Sequence, residues 1–245
     1  MLLTVDIGNT AINFAVFAGE EIIWRGAVQT GGFALPADVP GADEAIISSV
    51  VPATTETVAE AVRERFGVTP RIVGPSTKTR VTVAGANAAE LGADRLADCE
   101  AALALYGGPI IVVDYGTATT YDALDADGVF LTGITAPGVG LRAEALFARA
   151  ALLSPVPLTL PDSFIVADTG ESVRAGIMGG AIGETEYIIR RLRRELAPLE
   201  FKVAATGGLS GIISAAADLF DYVDRDLLMK GLRLISLNQG GRDGL

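Results

Sequence analysis

The chain contains no histidine and a single cysteine, Cys99. Without histidine, Ser-His-Asp and Cys-His nucleophilic chemistry and histidine-ligated zinc are excluded. One cysteine excludes an internal disulfide and any multi-cysteine metal site. Acid–base work must therefore fall to Asp, Glu, Lys, Tyr or Cys. Positive charge is also short, with 19 Lys and Arg against 30 Asp and Glu, a net charge of −11. That disfavours nucleic acid as a partner, because a phosphate backbone demands a basic footprint. No apolar run reaches the roughly 18 residues of a membrane span. No basic segment followed by an apolar stretch opens the chain, so no secretory signal is expected. The expectation is a soluble cytoplasmic protein with neither a membrane nor a nucleic-acid partner. What remains is a 245-residue chain, half hydrophobic and one fifth charged. Such a chain is globular and long enough for one or two domains with a substantial core. An acidic chain that handles an anionic ligand must neutralise it locally, with cations or backbone dipoles.

The stretch Leu2-Leu3-Thr4-Val5-Asp6-Ile7-Gly8-Asn9-Thr10, followed by Ala11-Ile12-Asn13-Phe14-Ala15-Val16-Phe17, reads as strand, tight polar turn and returning strand. An apolar β run delivers a carboxylate to its end. Gly8 lets a ligand approach the backbone, and Asn9 and Thr10 add short donors beside backbone N–H groups, which phosphate oxygens need. Asp6 would meet phosphate through a divalent cation, since Mg²⁺ takes one or two carboxylates together with waters and phosphate oxygens. Alone, the stretch reads equally as a phosphate loop or an ordinary hairpin turn.

The pattern returns at Pro109 to Thr120, where Ile110-Ile111-Val112-Val113-Asp114-Tyr115-Gly116-Thr117 is again an apolar strand running into Asp-x-Gly and hydroxyl residues. Both copies continue into a second strand, a turn containing Gly19 or Gly128, and a third strand. This echo indicates duplication into two similar α/β domains, 1–108 and 109–245, whose Asp-x-Gly turns could clamp one nucleotide. Periodicity predicts a helix through about Phe66, which Thr54 or Thr55 could cap, and helices over 90–106, within 138–151, over 170–196 and over 226–235. Residues 31–43 read as loop, and 154–160 as a loop or short strand. Ala175 to Ala181 is a small-residue stretch suited to close packing in the core or against a second subunit. Arg190, Arg191, Arg193 and Arg194 read as a solvated face or an anion patch. Thr206-Gly207-Gly208 after a strand suits a nucleoside or a plain turn. Asp94 by itself reads as an exposed first-turn carboxylate favoured by the helix dipole.

Taken together, Asp6-Ile-Gly-Asn-Thr10, Ser48-Ser-Val-Val-Pro52, Glu90-Leu-Gly-Ala-Asp-Arg95, Asp114-Tyr-Gly-Thr-Ala-Thr119, Ala136-Pro-Gly138, Glu171-Ser-Val-Arg-Ala-Gly176, Thr206-Gly-Gly208 and Lys230-Gly-Leu-Arg-Leu234 resemble the type III pantothenate kinases, of the acetate-kinase, sugar-kinase and actin superfamily. The resemblance implies duplicated ribonuclease H-like, actin/hexokinase-type domains: mixed five-stranded sheets flanked by helices, with the active site in the interdomain cleft. It implies ATP-dependent phosphorylation of pantothenate to 4'-phosphopantothenate, the first step of coenzyme A biosynthesis. Asp94 is then the general base. Asp6, Ile7, Gly8, Asn9, Thr10, Ala11, Ile12 and Asn13 hold the ATP phosphates, with Asp6 organising Mg²⁺, through water or directly. Thr117, Gly207 and Gly208 contact the nucleotide, and Asp114 binds a monovalent cation, K⁺ or NH₄⁺. Gly85, Gly92, Ala93, Asp94, Arg95 and Thr169 meet pantothenate, and the family is dimeric. Gly85 stands where the family commonly has an aromatic residue, and Asn87-Ala88 where it has Asn-Pro, which bears on the shape of the acceptor pocket. The alternatives are a phosphotransferase of the same fold acting on another small hydroxyl compound, or a regulator that has lost turnover.

Overall fold

The computed structural model describes residues 1–83 and 91–239. Gly85, Asn87, Ala88 and Glu90, named above, lie outside the described residues. The chain forms two compact units. One comprises Met1–Tyr106 together with the segment that begins at Asp226, and the other is Gly107–Arg225.

In the first unit, β1 (Leu2–Ile7), β2 (Ala11–Ala18) and β3 (Glu21–Gln29) form an antiparallel meander, and β4 (Glu44–Ser49) and β5 (Arg71–Ile72) join in parallel. The sheet order is β3-β2-β1-β4-β5. Helix α1 (Pro52–Phe66) follows β4, and α2 (Ala93–Tyr106) closes the segment. No side chain caps α1; Pro52 opens it instead, where a missing N–H costs nothing. The expected threonine cap is therefore incorrect.

The second unit repeats the plan. β6 (Ile110–Tyr115), β7 (Ala118–Leu124) and β8 (Phe130–Pro137) form the meander. After α3 (Val139–Arg149) and α4 (Thr169–Glu195) come β9 (Lys202–Gly207), the short α5 (Ser210–Ser214) and β10 (Tyr222–Val223). The order β10-β9-β6-β7-β8 is the first sheet's order read from the other edge. The N-terminus of α4 is capped reciprocally. Asp168 accepts the Glu171 N–H at 2.9 Å, and the Glu171 carboxylate accepts the Ala167 N–H at 3.1 Å.

The last helix, α6 (Leu227–Gln239), packs in the first unit and not in the second, where a division at residue 109 would put it. Its Leu232 and Ile235 join Ala15, Phe17, Ile46 and Ala97 in one core cluster. A Cβ at Gly231 would lie 1.9 Å from the Ala97 carbonyl oxygen, so glycine permits the close approach of α6 to α2. Arg25 grips Asp226 through two hydrogen bonds of 2.9 and 2.8 Å, fixing the point of return.

Candidate active site

Strand alternation aims Asp6. Leu3, Val5 and Ile7 enter the cluster under α1, with Val58 and Val62. Leu2 packs on the opposite cluster, and Thr4 hydrogen-bonds the Met229 sulfur of α6 at 3.3 Å. Asp6 continues this second set, so its carboxylate faces the side where α2 begins. Register places Ser48 of β4 beside it and Asn13 of β2 on its other flank.

Burial and the neighbouring charge of Asp94 push the Asp6 carboxyl up to about 7. Asn13 and Ser48, whose buried hydroxyl makes no well-formed hydrogen bond, face the same carboxylate and pull the other way. Asp94 stands in the first turn of α2 and accepts the Arg95 N–H at 2.8 Å. A Cβ at position 92 would meet the Asp94 Oδ1 at 2.4 Å, so Gly92 leaves room for that carboxylate. Two carboxylates are thus brought together in one partly buried place. A divalent cation fits this donor set, because it relieves the repulsion and needs only one or two carboxylates beside phosphate oxygens. Among the described residues, no cluster of three or more Asp, Glu or Cys ligands forms.

The turn after Asp6 is held by Gly8 N–H to Ala11 O at 3.0 Å and by Thr30, whose hydroxyl donates to Gly8 O at 2.7 Å. Asn9, Thr10 and Asn13 are exposed, whereas Ile7 and Ile12 are fully buried. Those two isoleucines pair across the hairpin and face the core.

The second unit builds a counterpart. Gly116 N–H donates to Ala118 O at 3.0 Å, closing a turn one residue shorter than the first. The Asp114 carboxylate lies between two glycines: a Cβ would meet it at 3.1 Å from position 116 and at 2.4 Å from position 207. Gly207 also has φ +85°, a conformation that L side chains rarely adopt. This glycine cradle leaves room for the carboxylate itself. Thr117 and Gly208 are exposed beside it, and the Gly138 N–H donates to Thr117 O at 3.1 Å. Thr169 is exposed as the first residue of α4.

Sequence reasoning missed several of these partners. The position of Ser48 follows from the parallel register of β4 on β1, and the glycine cradle from β9 pairing with β6. Neither pairing is visible from local spacing. A pocket of about 340 Å³ opens in the first unit, lined by Ser49 and Val50, by Val73 to Pro75, by Thr77, Thr79, Val81 and Val83, and by Leu91 to Ala93 with Leu96. Asp94 does not line it, but its carboxylate is held over Gly92, which does. Three arginines near the end of α4 are engaged locally. Arg191 pairs with Glu195, Arg193 donates to Phe201 O, and Arg190 lies over the Tyr187 ring.

Two units of one strand order, each ending its first strand in an Asp-x-Gly turn, make a duplicated ribonuclease H-like fold of the actin and hexokinase type. A solved Campylobacter jejuni structure, provisionally named a Baf-family transcriptional activator, superposes with TM-score 0.64 at 19% identity, covering 97% of this chain and 98% of that one. A Sinorhizobium meliloti protein, provisionally named a 2-dehydro-3-deoxygalactonokinase, gives TM-score 0.62 at 13% identity, with 100% and 99% covered. These likenesses concern the fold alone. The chain belongs to the type III pantothenate kinase family, whose model matches residues 2–191. It is 39% identical to a type III pantothenate kinase of Agathobacter rectalis over 98% of both chains. It is 40% identical to one of Moorella thermoacetica over 96% of this chain and 98% of the relative.

Proposed function

We propose the following division of labour for the ATP-dependent phosphorylation of pantothenate, the activity that membership of the type III pantothenate kinases gives this chain. The backbone N–H groups and short side chains from Asp6 to Asn13 hold the ATP phosphates. Asp94 accepts the proton of the pantothenate primary hydroxyl as that oxygen attacks the γ-phosphorus. The bond to the β–γ bridging oxygen breaks, and ADP leaves with the electron pair. Such a transfer depends on positioning and charge neutralisation more than on covalent help. Asp6 would hold Mg²⁺, which when bound neutralises phosphate charge. Asp114 would hold K⁺ or NH₄⁺, while Thr117, Gly207 and Gly208 contact the nucleotide. Gly85, Gly92, Ala93, Arg95 and Thr169 meet pantothenate. The pocket beside Gly92 suits its chain, with valines for the dimethyl carbon and Thr77 and Thr79 for hydroxyl and amide groups.

The observation that carries this assignment is the position of Asp94 in the first turn of α2, with its carboxylate held over Gly92 of the pocket and its charge acting on Asp6. The test is ADP release from purified protein with ATP, Mg²⁺ and K⁺. Turnover that depends on pantothenate is expected, and its absence would refute the reading.

A homodimer in the cytoplasm completes the proposal. Gly176, Gly180 and Gly183, spaced along one side of α4, are exposed, and among the described residues nothing lies within 4 Å of an added Cβ. Phe164, Ile165 and Tyr187 in the same unit are exposed large hydrophobic residues. Light scattering should give twice the chain mass of 25.3 kDa.

A further inference from the structure

Helix α2 carries a buried glutamate that the chemistry above leaves unused. Glu100 is fully buried. Its Oε2 accepts the backbone N–H of Arg80 at 2.6 Å. Its Oε1 accepts Asn238 Nδ2 of α6 at 3.0 Å and lies 3.5 Å from the Arg80 Nε. Each of these partners is a donor, so an ionised carboxylate satisfies all of them, and no neutral side chain of that shape can. Arg80 stands between Thr79 and Val81, both of which line the pocket, and the Thr79 hydroxyl donates to Val81 O at 3.0 Å. The opposite wall is the start of α2 itself, with Gly92, Ala93 and Leu96. One buried carboxylate thus ties one wall of the pocket to the helix that forms the other.

We propose that Glu100 is a positioning residue for the acceptor. It fixes the 79–81 segment at the distance from α2 that suits pantothenate, without touching substrate itself. The proposal rests on the reading of this pocket as the acceptor site. Width and register are set at Arg80 through a backbone N–H, so they do not depend on the identity of that side chain. The contact to Asn238 serves a different purpose, joining α6 to α2.

The experiment compares steady-state kinetics of the wild type with Glu100→Gln, Glu100→Asp and Asn238→Ala, alongside thermal melting. In Glu100→Gln the neutral acceptor holds the Arg80 N–H less firmly, and its amide faces the Arg80 guanidinium. Glu100→Asp keeps the charge but is one methylene too short to reach both elements. Both variants should raise the pantothenate KM about tenfold, as expected for weakening a charge-assisted hydrogen bond, with kcat and the ATP KM within about threefold. Asn238→Ala should lower the melting temperature while leaving the pantothenate KM within about twofold. If Glu100→Gln does not fold, Glu100→Asp carries the test. A folded Glu100 variant with an unchanged pantothenate KM overturns the proposal. So does an increase in KM that Asn238→Ala reproduces, since that would make the carboxylate a brace of the fold only. A wild type without pantothenate turnover removes the substrate assignment, and the proposal falls with it.

Discussion

Replacing Asp94 by Asn separates two effects that the structure couples. As a general base Asp94 should contribute about 10²–10⁴ in kcat, a range typical of positioned proton acceptors. At 1.36 kcal/mol per decade that is about 3–5 kcal/mol of activation barrier. The second effect has the opposite sign. The Asp6 carboxyl stands at about 7 first because it is buried and second because the Asp94 charge is near. Asn removes that charge, so the Asp6 pKa falls and a larger fraction is ionised at pH 6. Binding of Mg²⁺ with a non-hydrolysable ATP analogue should then be tighter at pH 6 than in the wild type, and less dependent on pH between 6 and 8. Single-turnover kinetics with pantothenate measures the first effect and calorimetry of nucleotide binding the second. A partly unfolded protein would lose both activity and binding, so opposite changes are diagnostic. Near-normal turnover by Asp94→Asn would refute the base assignment. Weaker nucleotide binding at pH 6 would refute the coupling and make Asp94 itself a holder of the cation.

Other outcomes test the remaining parts. Asp6→Asn should stabilise the metal-free protein at pH 8. A carboxyl whose pKa is raised on folding, from 3.8 to about 7, favours the fold below its unfolded pKa and loses that contribution as pH rises through 7. The gain has an upper bound of about 4 kcal/mol by linkage, and a urea titration showing it equally at pH 3 would contradict the burial of Asp6. Gly207→Ala should cost at least about 1 kcal/mol, because a left-handed φ is unfavourable for alanine, and should also abolish activation by K⁺. An unaltered K⁺ activation curve would remove the cradle from the assignment. Gly231→Ala should destabilise by about 1–3 kcal/mol by overpacking α6 on α2. Paired melting curves of wild type and variant check it.

Much of the architecture is legible in the chain because it is written locally. An apolar run ending in Asp-x-Gly occurs at Asp6 and again at Asp114. Each is followed by a second strand, a turn containing glycine and a third strand, so the duplication and the two turns can be read without coordinates. The helices that bury one face announce themselves by period, as α4 and α6 do. The short elements α5 and β10 escape because their few residues show no period.

By itself the sequence determined which chemistries were possible. With no histidine and one cysteine, acid–base work was left to Asp, Glu, Lys, Tyr or Cys, and an acidic chain had to neutralise an anionic ligand with cations or backbone dipoles. Only the tertiary structure decided which groups face one another. Strand pairing set Ser48 beside Asp6 and Gly207 against Asp114, since side-chain direction alternates along each strand but partners come from distant segments. It also carried α6 back to the first unit and buried Glu100 against Arg80 and Asn238. A burial that depends on three separated segments leaves no mark in the spacing of any one of them.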